Sequence, residues 1–217
     1  MSTYTGNAGP FRIAVAAMVF ALAVAGSPHD ASAQASDQPD EVHHRNDCRL
    51  ARQILVHGQP ANKVAWAQDV IASCDDIQET IAQALEQHRG DEVESEALDR
   101  LVFLTTEVVD ANVFEAALSI AADPAAGTIG RLQAMRVVFN QFTPLNFVDF
   151  ESFVDGGGFY VLPRTGDPLV LTPLPADRGQ RVIDAMDSVL DEPGLDERIE
   201  EVALGLQGIA DSEVRRP

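Results

Sequence analysis

The chain has 217 residues, of which 34 are Asp or Glu and 15 are Lys or Arg, giving a formal net charge of −19. A surface this acidic repels the phosphates of nucleic acids and the headgroups of anionic lipids, so we expect neither as a partner. A basic protein partner is compatible with the charge, although the need for solubility also accounts for it.

Residues 1–33 have the features of a secretory signal peptide. Residues 1–12 carry one positive charge and no negative one, Ile13–Ala25 is an uncharged apolar run, and Ala31-Ser32-Ala33 is a small-x-small cleavage motif. The apolar run is shorter than the roughly 20 residues that a membrane span needs. We therefore expect an exported chain, periplasmic or extracellular, that begins near Gln34 and is not inserted in the membrane after cleavage.

The chain contains two cysteines, Cys48 and Cys74. In an exported protein two cysteines are expected to form a disulfide. The helical pattern supports this pairing, because Cys48 is predicted to open the first helix and Cys74 to close the second. Those two ends lie side by side in an antiparallel hairpin. In the chain-entropy model such a bond stabilises the fold by roughly 3–4 kcal/mol.

The first predicted helix pair follows a polar, acidic segment at 34–46 that has no periodicity and is expected to be a disordered leader. The first helix is predicted from Cys48 to His57, with Asp47 as its cap and Gly58 and Pro60 after its end. The second is predicted over 63–74. The residues expected to face the core are Leu50, Ala51, Ile54, Leu55, Val64, Ala67, Val70 and Ile71.

Two further pairs follow. Asp76 and Glu79 have the spacing of a capping box before the third helix, and the fourth helix is predicted from about Ser95 to Val108. The stretch 110–142 contains two amphipathic patterns separated by a short break that begins at Asp123. A short break makes antiparallel neighbours, so this stretch is predicted to be a helical hairpin.

The stretch 143–176 is an insertion rich in proline, glycine and aromatic residues. We expect a short helix over 145–154 and a small β-hairpin that pairs 159–162 with 169–171. Two roles are open for the insertion: a lid whose aromatics complete the core, or a contact surface for a partner. The candidate partner contacts are Phe147, Phe150, Phe153, Phe159 and Tyr160.

A last helix pair is predicted from Asp177, with helices over 181–190 and 196–210, and 212–217 is expected to be a frayed tail. Helix pairs thus begin near Asp47, Asp76, Asp110 and Asp177, with intervals close to 30 residues and a last interval about twice as long. Such a period is typical of stacked helix pairs. The sequence predicts one all-α domain over 47–211 with the architecture of an α-solenoid.

One motif carries a family resemblance. Asp123-Pro124, followed by Arg131 and Ala134 and then by aliphatic residues, resembles the turn and second helix of a HEAT repeat. Asp191-Glu192-Pro193 with Arg198 is a looser copy. The resemblance implies an α-solenoid that offers a surface to another protein. The intervals are uneven and the insertion interrupts the array, which departs from the family pattern. An irregular helical bundle and, less well matched, a tetratricopeptide array are the alternatives.

No motif points to catalysis or to a cofactor. His43 and His44 near Cys48 could serve as metal ligands, but the disulfide is the better use of the cysteine, so we expect no metal site. His57 and His88 lie in the last turns of predicted helices, where capping explains them. The triple glycine at 156–158 lacks the lysine of a phosphate-binding loop.

The function expected from these observations is that of an exported, non-catalytic helical-repeat protein that binds another protein or acts as a scaffold. Two alternatives stay open: a hydrolase-like enzyme of the cell envelope with its site beneath 143–176, and a small-molecule binding module.

Overall fold

The structure is a computed structural model that describes residues 39–142, 145–148, 160–163 and 167–215; for 39–42, 145–148 and 160–163 only the backbone is described. The expected signal peptide, residues 34–38 of the expected leader, and Phe150, Phe153 and Phe159 lie outside these ranges. Helices account for most of the described chain, which confirms the all-α class.

Eight α-helices and four short strands make up the regular structure of the described residues. The helices are α1 (Pro39–His57), α2 (Val64–Ile71), α3 (Ile77–Gln87), α4 (Glu96–Leu104), α5 (Ala111–Ala121), α6 (Thr128–Phe142), α7 (Arg178–Leu190) and α8 (Glu197–Val214). A 3-10 turn, Ala61–Lys63, precedes α2. The strands are β1 (Val108–Asp110), β2 (Leu145–Val148), β3 (Tyr160–Pro163) and β4 (Leu169–Thr172).

Three of the four consecutive helix pairs pack closely: α1 with α2, α5 with α6, and α7 with α8. The second pair differs, because α3 touches α4 but packs more extensively on α5 and α1. Successive pairs touch through corresponding members. The first helices contact one another in the order α1, α3, α5, α7, and the second helices in the order α2, α4, α6, α8. The apolar stripe of each pair is therefore covered by its neighbours along the chain.

Helix α6 is buried on every side, which the sequence did not predict. All residues from Ile129 to Phe142 are buried, although an amphipathic helix with one apolar face was expected. The reason is that α6 is contacted by α4, α5 and α8, and also by β2 from the insertion. Its polar side chains therefore need partners inside the protein.

The turn before α4 lies directly against the start of α6. The N–H of Gly127 donates to the carbonyl of Arg89 at 2.9 Å, and the N–H of Gly130 donates to that of Asp91 at 3.1 Å. At either glycine a Cβ would overlap this backbone. The two glycines are thus required by the close approach of two main chains.

The strands correct two expectations for the insertion. Residues 145–148 form β2, antiparallel to β3, instead of a helix. The strand at 169–172 does not form a hairpin with 160–163; it pairs in parallel with β1, and Val108 lies opposite Leu169. Aliphatic and β-branched residues favour strands in all four segments. Partner choice depends on which edge the helices leave accessible, and this is not visible in the sequence.

Several helix ends also differ from the expectation. Helix α1 begins at Pro39, not at Cys48, so 39–46 is helical instead of disordered. Pro39 at the first position and Asp40 and Glu41 in the first turn both favour a helix start there. As a result Cys48 lies within α1, and Leu50 is exposed instead of buried. At the other terminus α8 continues through Ser212 to Val214, beyond the expected end of the domain.

In the middle of the chain, α4 ends at Leu104 because Thr105 and Thr106 bond to carbonyls of its last turn, and Val108 belongs to β1. The predicted capping box is wrong as well. The side chain of Asp76 makes no cap hydrogen bond and instead forms an ion pair with Arg52 of α1. The carboxylate therefore links two helices instead of capping one.

Candidate functional site

The parallel pair β1–β4 is the most unusual surface feature of the described residues. In the ladder Val108 lies opposite Leu169, Val109 opposite Val170, and Asp110 opposite Thr172, with a register shift after Val109. The N–H of Leu169 also donates to the carbonyl of Glu107 at 2.8 Å. Strand β1 is buried, so β4 is attached to the helical body through one edge.

A buried glutamine of α6 fixes the position of β1. The amide nitrogen of Gln141 donates to the carbonyls of Val108 at 2.6 Å and Thr105 at 3.2 Å, while its oxygen accepts from the N–H of Asp110 at 2.8 Å. One side chain thus satisfies backbone groups at both ends of β1, where water cannot reach.

The neighbouring residues complete this support. Asp110 accepts hydrogen bonds from the N–H groups of Asn112 (2.9 Å) and Val113 (3.2 Å), and so caps α5 as a residue in the extended conformation. Asn140 donates to the hydroxyl of Thr105 at 3.0 Å. The α4–β1–α5 connection is therefore held by both of its flanking helices and by α6.

The strand that β1 supports is apolar and exposed. Leu169, Val170 and Leu171 have 62, 53 and 39 % of their surface accessible to solvent. Alternate side chains of a strand face opposite sides, so neither face of β4 is covered. The second edge of β4 pairs with no other strand of the described ranges. A contiguous apolar segment with an open edge is typical of an interaction site.

Strand β4 lies within the 143–176 insertion, for which a partner contact was predicted, but its residues are not the predicted contacts. Of the five aromatic residues proposed as contacts, Phe147 lies in β2 and Tyr160 in β3, where only the backbone is described. The other three lie outside the described residues. Residues 169–171 were predicted to belong to a hairpin and Val108 to a helix, so the β1–β4 pair was not predicted. The available signal was Val108-Val109, two β-branched residues between the threonines that end α4 and the aspartate that caps α5.

A polar cavity of about 640 Å³ opens at the start of α6, with Glu92, Arg131, Glu192 and Asp196 among its lining residues. The guanidinium of Arg131 binds both carboxylate oxygens of Glu192 at 2.8 and 2.7 Å and donates from Nε to the carbonyl of Ala121 at 3.1 Å. This arrangement ties the α7–α8 turn to the end of α5. The charges around the cavity are used in fixing the helix pairs to one another.

Two carboxyl groups at interhelix turns have lowered pKa values. The N–H of Ala125 and then the guanidinium of Arg89 hold the pKa of Asp123 below its usual value. The guanidinium of Arg198 does the same for the pKa of Asp196, the residue that caps α8. A lowered pKa in the folded state means that these groups stabilise the protein above their unfolded pKa, and that this contribution is lost as the pH falls through the folded value.

His88 is the one histidine with a carboxylate partner among the described residues, and its geometry is structural. Nδ1 lies 2.6 Å from Oδ2 of Asp91, and Nε2 lies 3.0 Å from the carbonyl oxygen of Val56 at the end of α1. Both ring nitrogens therefore face acceptors within the protein. Nε2, the nitrogen that faces the nucleophile in a catalytic triad, lies against a backbone carbonyl here, so the geometry of this pair is that of a link between α1 and the α3–α4 turn.

The predicted disulfide is present. Cys48 of α1 and Cys74, in the turn after α2, are bonded with their Cα atoms 5.9 Å apart. The premise that Cys48 opens its helix was wrong, but the pairing was right, because α1 and α2 do form an antiparallel hairpin. The Nε2 atom of His44, one turn before Cys48, lies 3.7 Å from the sulfur of Cys48.

Comparison with known proteins gives no relative: no family model, curated protein or solved structure matches the chain. Within the described ranges, no helix has both the length and the apolar character that crossing a bilayer requires.

Proposed function

We propose that the chain is an exported protein-interaction module, built as a solenoid of four helix pairs, which binds an extended segment of another protein along β4. The observation that carries the proposal is β4 itself: an apolar strand, exposed on both faces, with one edge unpaired among the described residues. Strands of this kind bind partners by β-strand addition, in which main-chain bonds give affinity and alternate side chains give selectivity.

The packing order supports the solenoid arrangement. Each helix pair touches the next through its first and its second helices, as stacked repeats do. Ion pairs follow the same series. Arg89, after α3, pairs with Asp123 in the α5–α6 turn, and Arg131 of α6 pairs with Glu192 in the α7–α8 turn. Asp123 and Glu192 belong to the Asp-Pro and Glu-Pro turns on which the resemblance to HEAT repeats rests.

The depth of support beneath β4 favours a binding role over an accidental exposure. A mobile loop would not need the three hydrogen bonds by which Gln141 fixes β1. A strand held on a rigid base loses little conformational freedom on binding, so more of the contact energy appears as affinity. The net charge of −19 favours a segment whose flanks are basic.

Export is part of the proposal and has its own test. It rests on the residues 1–33 pattern and on the disulfide, which forms in oxidising compartments. When the full chain is expressed in a bacterium, the secreted or periplasmic product is expected to begin near Gln34 by N-terminal sequencing. A product that keeps Met1 and stays with the cytoplasm contradicts export and leaves the β4 proposal untouched.

Binding is tested with defined peptides and amide NMR of the purified chain. The probes are ten-residue peptides of alternating valine and threonine, ended by two lysines or by two glutamates. We expect the lysine-ended peptide to shift the amides of Leu169–Thr172 and to protect them from exchange. The glutamate-ended peptide should bind more weakly, by a factor that decreases as salt is added.

Two matched variants are compared. The first is the double substitution Leu169→Lys with Leu171→Lys on β4, and the control is Leu204→Lys, at an exposed leucine of α8. The β4 pair should abolish binding of the lysine-ended peptide, and the α8 variant should leave it unchanged. Shifts that map elsewhere, or equal binding by the β4 variant, would overturn the proposal.

A further inference from the structure

A histidine lies beside the disulfide, so that three side chains able to bind a metal ion are close together. The imidazole of His44 and the sulfurs of Cys48 and Cys74 lie within 4.8 Å of one another. His44 and Cys48 are four residues apart in α1, so they share one face of the helix. Cys74 reaches the same point from the turn after α2. Ligand atoms from α1 and from the turn after α2 thus lie close together.

A cavity of about 330 Å³ opens over this cluster, with His44, Arg49 and Asp75 among its lining residues. His44 is exposed, whereas the two cysteines are mostly covered and Cys74 keeps only 6 % of its surface exposed. Both cysteines line the cavity, so a reductant or an ion reaches the sulfurs through this opening.

We propose that the Cys48–Cys74 pair is a redox-gated metal site: once the disulfide is reduced, both thiolates and His44 bind one thiophilic ion of the Zn²⁺ class. A dithiol supplies two electrons and two protons, the S–S bond breaks, and the dithiol becomes a disulfide. Binding of Zn²⁺ then releases the two thiol protons and forms two Zn–S bonds and one Zn–N bond. The oxidised chain offers one histidine and binds no ion there.

The distances fit the tetrahedral geometry of zinc. With Zn–S bonds of about 2.3 Å and Zn–N bonds of about 2.0 Å, neighbouring ligand atoms lie roughly 3.3–3.8 Å apart. His44 Nε2 already lies 3.7 Å from the sulfur of Cys48. The two sulfurs need only separate from bonding distance to this spacing, which the backbone separation of 5.9 Å between the Cα atoms allows.

The charges favour this ligand set over a carboxylate site. Three arginines and two aspartates, Asp75 and Asp76, line the same cavity, and Arg52 forms an ion pair with Asp76. The basic groups are in excess by one, which disfavours a bare divalent cation. Two thiolates cancel the two charges of the ion, so the complete site is neutral beside the arginines. The fourth position, for which the cluster offers no further ligand, is open to water or to an external ligand. The ion would then join α1 to the α2–α3 turn in place of the disulfide.

The test is a metal titration of the purified full chain, oxidised or reduced with a phosphine that does not compete for zinc. We expect the reduced chain to bind one Zn²⁺ and to show thiolate-to-metal charge-transfer absorption with Co²⁺. The oxidised chain should show neither. His44→Ala should weaken zinc binding by at least about 10-fold, because even the loss of a residue that only supports a metal ligand typically costs that much. His43→Ala, the adjacent residue on another side of α1, should leave it unchanged.

Helical circular dichroism, recorded at each step, keeps the test decisive. If reduction loosens α1 and α2, zinc is expected to restore the lost helical signal in the parent chain and not in His44→Ala. Failure of zinc to bind or to restore structure, equal affinity in His44→Ala, or binding by the oxidised chain would each overturn the proposal.

Discussion

Helix α6 and strand β4 reverse the usual distribution of polar and apolar residues in opposite ways. The helix carries arginines, glutamines and an asparagine inside the protein, and the strand carries two leucines and a valine outside it. Most of the buried polar groups are explained by partners: Arg131 by Glu192, Arg136 by Asp99, and Gln141 by the backbone of β1. The exposed apolar groups of β4 have no such partners in the described part of the chain. The difference teaches that α6 contributes to stability, whereas the exposure of β4 is the observation on which the proposed binding role rests.

The largest effect among these predictions of stability is expected from breaking the Arg131–Glu192 ion pair of α6. Arg131→Met leaves Glu192 without its bidentate partner and should lower the free energy of unfolding by about 3 kcal/mol, the lower end of values for a buried pair because Glu192 keeps some exposure. Urea denaturation measures the loss. Arg215→Met, which removes an exposed ion pair at the end of α8, is the matched control and should change stability by less than about 0.5 kcal/mol. Equal losses in the two variants would contradict the assignment.

Replacing glycine by alanine is predicted to have opposite effects on stability at Gly130, where two main chains touch, and at Gly208, where they do not. Gly130→Ala forces a Cβ into the carbonyl of Arg89 and should destabilise by about 1–3 kcal/mol. Gly208→Ala in α8 meets nothing and should stabilise by about 0.5–1 kcal/mol through helix propensity. Thermal unfolding distinguishes them. If Gly130→Ala is as stable as the parent chain, the 88–91 turn is not packed as described.

Gln133 is a buried polar side chain of α6 that does not fit the view that partners explain the polar groups of this helix. It is fully buried, and neither its amide nitrogen nor its amide oxygen has a hydrogen-bond partner. Replacing it with methionine removes two unsatisfied groups at similar volume and should stabilise by about 1–2 kcal/mol. The melting temperature should rise by about 2–4 °C for each kcal/mol. A lower melting temperature would show that the amide has an internal partner, such as an enclosed water.

The smallest effect on stability is expected at β4. Leu169→Lys with Leu171→Lys should change the free energy of unfolding by no more than about 1 kcal/mol, because Leu169 is mostly exposed and Leu171 is partly exposed. Val109→Lys, on the buried partner strand, should by contrast be strongly destabilising, because it places an unpaired charge in the interior. A large loss of stability in the β4 variant would mean that the strand serves the fold and not a partner.

The sequence was sufficient for local and periodic features. Helical spacing located the helices and placed two helix starts correctly, at Asp110 and Asp196, and the compartment argument paired Cys48 with Cys74. The caps predicted at Asp47 and Asp76 were wrong. The sequence did not show which helices pack together or which strands pair. Nothing in the spacing of Leu132 or Phe139 indicates that the opposite face of α6 is also covered. The pairing of β4 with β1 joins segments about sixty residues apart, and β-propensity carries no information about partners.

The close fit of the 88–91 turn against Gly127 and Gly130 restricts how this protein can change during evolution. A stack of interchangeable units can grow or shrink by duplicating any one of them. Here the second and third pairs recognise each other through backbone shape, so a duplicate inserted between them would meet a surface made for a different neighbour. A duplicated pair is therefore not expected between these two, and the contact at Gly130 fixes them as neighbours.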